Sequence, residues 1–349
     1  MGASNVQDVV LSPGELLDEV VVVGYGTTTR KQVTSAVQSV KAENFNQGNV
    51  NDPLQLVQGK VAGLAISNVG NDPNGETTTR LRGLATLGAN TEPLVVIDGV
   101  IGGSLSTVDP NDIASIDVLK DGSAAAIYGT RASSGVIIVT TKKGVAGQTN
   151  VEYNGFATVE SIAQKWDVAD AATFASFRSA NPETLHGSST DWLDEVSETA
   201  FTHVHNISMS GGIGSTSYRA SFNYRDVEGI GINSGFQQLN GRLNLTQKAL
   251  DDRLTIGLNV SATDREFQKG FEEAFRYGII YNPTAPVLTT SADPLFEKYG
   301  GYFQSENFDY FNPVAIAEQS IHEGTKKDVL VNINGNYELA EGLSIGTSY

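Results

Sequence analysis

The second half of the chain is written in period two. In Leu254-Thr-Ile-Gly-Leu-Asn-Val-Ser-Ala262 every even position is apolar and every odd one small or polar, which sorts side chains onto the two faces of a strand. Tyr218, Ala220, Phe222 and Tyr224 oppose Arg219, Ser221, Asn223 and Arg225 in the same way, and Leu239, Leu243 and Leu245 oppose Asn240, Arg242 and Asn244. The pattern predicts strands near 151–160, 203–211, 216–226, 236–247, 253–265, 328–339 and 343–349. Tight turns around Gly212, Asp251 and Ala340 alternate with longer connections over 161–202, 227–235 and 266–327.

A soluble sandwich also alternates, so the strands alone leave that class open. Short turns on one side and long loops on the other are the pattern of an outer-membrane barrel. Loops of roughly 40 and 60 residues are also uncommon in a compact soluble domain unless they carry function.

Upstream, from Arg30 to Gly144, short strand-like runs alternate with turn clusters such as Gly70-Asn-Asp-Pro-Asn-Gly75, which reads as a compact α+β unit. Asp52 as N-cap, Pro53 at the first helical position and Gly59 as a stop predict a short helix. The Ala-rich 123–128 stretch predicts another, and Val136–Thr141 has strand composition. Residues 14–29 read as extended, because four consecutive valines disfavour helix. Gly24 and Gly26 after an apolar strand open like a dinucleotide fingerprint, but Thr29 stands at the third glycine position.

Composition narrows the function classes. The 349 residues suffice for two domains, and the net charge of −17, borne mostly after residue 150, argues against phosphate-neutralising nucleic-acid binding. With no cysteine, disulfides, thiolate metal sites and thiol catalysis are excluded. His203 and His205 share one strand face, but no third ligand is placed, so no metal or cofactor is assigned. No apolar run is long enough for a transmembrane helix, which says nothing against a barrel. The first residues lack the features of a signal peptide, so a truncated start is expected. No catalytic constellation stands out, and an enzyme is not expected.

The most distinctive segment is Asp121-Gly-Ser-Ala-Ala-Ala-Ile-Tyr-Gly-Thr-Arg-Ala-Ser-Ser-Gly-Val-Ile-Ile-Val-Thr-Thr-Lys-Lys-Gly144. It follows, in order, Leu17-Asp-Glu-Val-Val-Val-Val-Gly-Tyr-Gly26, Leu56-Val-Gln-Gly-Lys-Val-Ala-Gly-Leu64, Arg80-Leu-Arg-Gly83, Pro93-Leu-Val-Val-Ile-Asp-Gly-Val100 and Ile113-Ala-Ser-Ile-Asp-Val-Leu-Lys120. The series resembles the plug region of SusC-like (SusC/RagA) TonB-dependent outer-membrane transporters, and the resemblance runs from about Val6 onward.

That resemblance implies an α+β plug domain followed by antiparallel β-strands of an incomplete transmembrane β-barrel. It divides the chain into 1–13, the remnant of a preceding β-sandwich extension; 14–29, Ton box and linker; 30–146, plug; and 147–349, the first seven strands of a truncated barrel. Plugged transporters of this class have 22 strands, so the rest of the barrel is expected outside this sequence. Asp18, Glu19, Val20, Val21, Val22 and Val23 match a Ton box, whose extended backbone suits β-augmentation by TonB. By resemblance, Arg80 and Arg82 lie against barrel carboxylates, and Asp98 and Arg131 match other plug-locking positions. Tyr277, Tyr281, Tyr299, Tyr302, Phe303 and Tyr310 form an aromatic-dense loop for stacking on substrate or docking a partner, with self-packing and an interfacial girdle as the alternatives.

The implied function is TonB-dependent import of an oligosaccharide or peptide across the outer membrane of a Gram-negative bacterium, with plug and Ton box facing the periplasm. The implied partners are TonB with ExbB–ExbD, a SusD-like surface lipoprotein and outer-membrane lipid. A siderophore or cobalamin receptor and a soluble β-rich carbohydrate-binding adhesin are the alternatives.

Overall fold

The computed structural model describes residues 37–68, 70, 72–75, 77–83, 91–120, 127–145, 147–305 and 310–349, together with the backbone of 20–23 and 26–29. Strand β1 (Val20–Val23) pairs antiparallel with β2 (Gly26–Thr29), from Val20↔Thr29 to Val23↔Gly26. Asp18, Glu19 and most of the 123–128 segment lie outside the described residues.

The next unit is built from β3 (Val37–Lys41), β4 (Leu64–Asn68), β5 (Thr77–Leu81), β6 (Leu94–Ile97), β7 (Val100–Ile101), β8 (Ile113–Leu119) and β9 (Val136–Thr141). Five of these form a mixed sheet in the order β3-β8-β9-β6-β7, while β4 and β5 make a separate hairpin. Strand β9 runs parallel to β6 and antiparallel to β8. It is central and covered on both faces, which is why Val136-Ile-Ile-Val139 is a continuous apolar run rather than an alternating one. Ile97, Ile113, Ile116, Val118 and Ile137 pack in one core with Val57, Leu64 and Leu81.

The helix expected after Asp52 is a 3₁₀ turn, Pro53–Val57, and Asp52 caps it by accepting from the Leu54 N–H at 2.8 Å. Leu54, Leu56 and Val57 are all buried. Five residues, four of them apolar and buried, suit one tight turn better than a propagating α-helix.

The rest of the chain forms one seven-stranded antiparallel meander: β10 (Asn150–Glu160), β11 (Ala200–Ile213), β12 (Thr216–Glu228), β13 (Gly235–Ala249), β14 (Leu254–Gln268), β15 (Glu323–Ala340) and β16 (Leu343–Ser348). Each expected strand is present, and several run two to five residues further than alternation alone indicated. The tight connections use left-handed backbone at Gly214, at Leu250, Asp251 and Asp252, and at Gly342. The long connections lie at the other end of the sheet.

This sheet is inside-out relative to a soluble one. Asn206, Asn223 and Asn240, opposite one another on adjacent strands, are each 1% exposed. On the other face Ile207 and Phe222, also a cross-strand pair, are 49% and 51% exposed. Met209, Leu239, Ile256, Val331 and Ile333 continue the exposed apolar face. A soluble sandwich buries its apolar face, so this arrangement removes that class and matches the wall of an outer-membrane barrel. What buries the polar face is the mixed-sheet unit.

The closeness of the plug core makes one position sensitive. Gly135 has φ +95, and a Cβ there would lie 2.3 Å from Leu81 Cδ2 and 3.0 Å from the Leu119 carbonyl oxygen. Gly135→Ala is expected to destabilise this unit by more than about 1 kcal/mol, read as lower thermal stability and faster hydrogen exchange over 113–119 and 136–141.

Candidate plug latch and ligand cavity

Between β6 and β8 the chain makes a polar strap, 98–112, that lies against the inner face of the large sheet. Asp98 sits in a tight turn at φ +47, where its N–H donates to the Val139 carbonyl at 3.0 Å. Its carboxylate accepts from the Thr141 N–H at 2.9 Å and the Thr141 hydroxyl at 2.8 Å. With its geometry fixed in this way, it pairs with Arg242 of β13, and both side chains are almost fully buried.

Further along the strap, Asp109 caps the 3₁₀ turn Pro110–Asp112 and meets Arg225 of β12 at 3.4 Å. The same guanidinium donates to the Val50 carbonyl at 2.7 Å. Asp112 accepts from Ser221 Oγ at 2.6 Å, Asn223 Nδ2 at 2.9 Å and Arg219 Nη2 at 3.3 Å. The Thr107 carbonyl accepts from Asn240 Nδ2 at 3.1 Å and Ser261 Oγ at 2.8 Å. Period two puts Arg219, Ser221, Asn223 and Arg225 on one face of β12, so a single strand reads two successive strap carboxylates.

Among the described contacts, the charges at this interface are arranged the other way round from the expected arginine-on-plug pairs. The guanidinium groups are on the large sheet and the carboxylates are on the plug side. Asp98 is at the interface, but Arg80, Arg82 and Arg131 are exposed. Leu81 is the reason for the first two: it is 4% exposed in the plug core, which turns Arg80 to the opposite face of β5, while Arg82 takes a left-handed backbone at φ +59. Arg131 lines a separate opening beside Glu92 and Thr130. Sequence reasoning missed Asp109, Asp112, Arg219, Arg225 and Arg242 as a set. The available signal was the row of arginines opposite aromatic and aliphatic residues on β12 and β13.

The aromatic loop takes the self-packing alternative. Tyr277 and Tyr281 are each 3% exposed, and Tyr302, Phe303 and Tyr310 pack against the same cluster as Trp192 and Val314; Tyr299 is half-buried. Trp192 meets Tyr281 edge-on at 4.9 Å, and Tyr281 stacks on Tyr310 at 4.6 Å. Trp192 Nε1 donates to the Asn282 carbonyl at 2.9 Å, Thr190 Oγ1 to Ala285 at 2.6 Å and Asn282 Nδ2 to Thr184 at 2.7 Å. The two long loops thus fold together as a cap with its own apolar core. Burial raises the Tyr281 phenol, and the hydrogen bond from Tyr302 to Glu318, followed by burial, pushes the Tyr302 phenol up to about 12.

At the long-loop end of the sheet, a cavity of about 710 Å³ opens between plug and wall. Its plug side is made by Asp72, Pro73, Asn74 and the 104–106 segment, and its wall side by Glu160, Glu228, Phe267 and Lys326. Asn74 Nδ2 donates to the carbonyls of Gly235 and Gln268 at 2.8 and 2.9 Å, and Arg265 donates to Asn74 Oδ1 at 2.9 Å. The Gly270 N–H donates to Asp72 Oδ2 at 3.1 Å. Lys326 donates to Ser106 Oγ at 2.8 Å. The cavity floor therefore runs directly into the strap that carries Asp109 and Asp112.

Comparison with known proteins agrees with this architecture. Residues 29–136 match the TonB-dependent Receptor Plug Domain. The chain is 32% identical to TonB-dependent receptor SusC of Bacteroides thetaiotaomicron, over 93% of this chain and 35% of that protein. It belongs to the SusC-like TonB-dependent receptors.

A second SusC-like relative, TonB-dependent receptor P3 of Formosa agariphila, is 32% identical over 95% of this chain and 34% of its own length. The chain thus spans about a third of the curated relatives it matches. Among solved structures, the RagAB peptide importer in its open-open state superposes with a TM-score of 0.75 at 24% identity, covering 95% of this chain and 42% of that one. At that identity the likeness shows the fold. SusC-like receptors are transport proteins, in keeping with the expectation that this chain is not an enzyme.

The latch predicts a defined energetic response. Removing one partner of a buried ion pair leaves the other charge uncompensated, at a cost of roughly 3–5 kcal/mol. Asp112→Ala is expected to weaken plug docking by that order, seen as accelerated hydrogen exchange across 98–112 with β12 and β13 still protected.

Proposed function

We propose that this chain is the plug-bearing part of an active importer that carries an oligosaccharide or peptide, too large for porins, across the outer membrane of a Gram-negative bacterium. The single observation that carries this reading is the inside-out sheet whose polar face is filled by a latched plug. An exposed apolar face needs lipid. A polar lumen filled by a domain held through directional bonds is a closed gate.

In this reading 1–13 ends a preceding extension, 14–29 holds the Ton box and its linker, 30–146 is the plug and 147–349 begins the barrel. The tight turns face the periplasm and the cap faces outward. A SusD-like lipoprotein covers the cap from outside, and TonB, energised by ExbB–ExbD, captures Asp18, Glu19 and Val20–Val23 by strand addition. Asp98, with Asp109 and Asp112, holds the closed state. Arg80, Arg82 and Arg131 make gating contacts as the plug moves.

Coupling follows from adjacency. Ligand seated on 72–75 and 104–106 touches the segment continuous with Thr107, Asp109 and Asp112. A ligand that binds better to the loosened arrangement shifts the population toward it. Load applied through the Ton box then meets a plug whose latch is already biased to open.

The test is capture of a purified periplasmic TonB domain by the protein and by a variant with Val20, Val21, Val22 and Val23 replaced by Gly and Ser. Micromolar binding by the parent and its loss in the variant is the expected outcome. Failure of the parent to bind, with the plug folded, would sink the import reading.

A further inference from the structure

A second, apolar pocket sits beside the large cavity, and neither the latch nor the proposed transport step uses it. Its walls include Val196, Ile232, Phe271, Ala274, Phe275 and Ala317, and its volume is about 160 Å³. Gly70 and Asp72 line both spaces, so the pocket opens where the plug apex meets the cap. An apolar cavity of about 150 Å³ accepts a benzene-sized group.

Three observations decide what such a group belongs to. The tyrosines expected to stack on sugar rings are held inside the cap, and Phe267 is the single aromatic among the described residues lining the large cavity. The pocket's lining is mostly apolar; of its polar neighbours, Ser234 Oγ donates to the Gly231 carbonyl at 2.6 Å, Asp72 accepts from Gly270, and Glu272 adds one carboxylate. A pyranose ring placed there would bring most of its hydroxyls to walls built from Val196, Ile232, Phe271, Ala274, Phe275 and Ala317, which offer them no side-chain partner, whereas an aliphatic or phenyl group fits those walls. The large cavity, in contrast, carries charges of both signs, with Glu160, Glu228, Lys269 and Lys326 among its lining. That wall suits a chain of amide groups with ionised ends.

We propose that the small pocket is a subsite for one aliphatic or phenyl side chain of an oligopeptide whose backbone lies in the large cavity. This rests on the import reading and narrows its substrate class to peptides. Cap, plug apex and wall each contribute to the subsite, so occupying it ties the two long loops to Gly70 and Asp72.

The probes are Ala-Ala-Leu-Ala-Ala, pentaalanine and maltopentaose, titrated into the full chain in detergent. The leucine peptide is expected to bind about tenfold or more tighter than pentaalanine, the scale set by burying the extra apolar carbons, and maltopentaose is expected not to compete. Ala317→Leu, which fills the pocket, is expected to abolish the leucine preference. Ala274→Leu on another wall serves as the second filling variant, and thermal unfolding shows which variants fold. Equal affinity for the two peptides, a preference that survives both fillings, or binding of maltopentaose in place of peptide would overturn the proposal. No binding of any probe would overturn it too, while intact TonB capture would leave the import reading standing. Peptide binding without TonB capture would do the reverse.

Discussion

Everything in this structure depends on the need to satisfy a buried polar sheet face. The inner surfaces of β12, β13 and β14 carry Arg219, Ser221, Asn223, Arg225, Asn240, Arg242 and Ser261. A buried donor without a partner costs about 1–3 kcal/mol, and more if charged. The strap 98–112 supplies three carboxylates and the Thr107 carbonyl to that surface. The outer face imposes the complementary demand, since its Ile, Leu, Val and Phe side chains need an apolar surrounding.

Ion pairs of this kind are poor sources of net stability, because desolvation offsets most of the attraction. Their value lies in direction. Arg225 reaches both the Asp109 carboxylate and the Val50 carbonyl, and Asp112 receives three different donors, so a displaced strap loses several bonds together. An apolar interface of the same area would tolerate sliding. A polar one holds a single register until something competes for its groups, which suits an element that must be firmly closed and still detachable.

The cap is a second, separate solution to a packing problem. Long loops carry many backbone groups and would be costly to order alone. Here the two loops bond each other through Trp192, Thr190 and Asn282 and share an apolar core, so each orders the other. Asp72 and Asn74 tie the plug apex to the same region through Gly270, Gly235 and Gln268, which brings plug, wall and cap together around one space.

The sequence by itself determined the local order. Period two placed Leu239 and Asn240 on opposite faces, the composition of Val136–Thr141 marked a strand, and Asp52-Pro53 marked the capped start of a short helical segment. These are properties of neighbours along the chain, set by backbone geometry within a few residues. The ordered plug motifs added the family. Which face of the large sheet would be buried was not local, because alternation is identical for a sandwich and for a barrel wall. Nor was the pairing of Asp98 with Arg242, 144 positions away, or the burial of Tyr281 against Trp192. Those were decided only when the tertiary structure brought distant polar groups out of water, where each had to find whichever partner the fold placed opposite it.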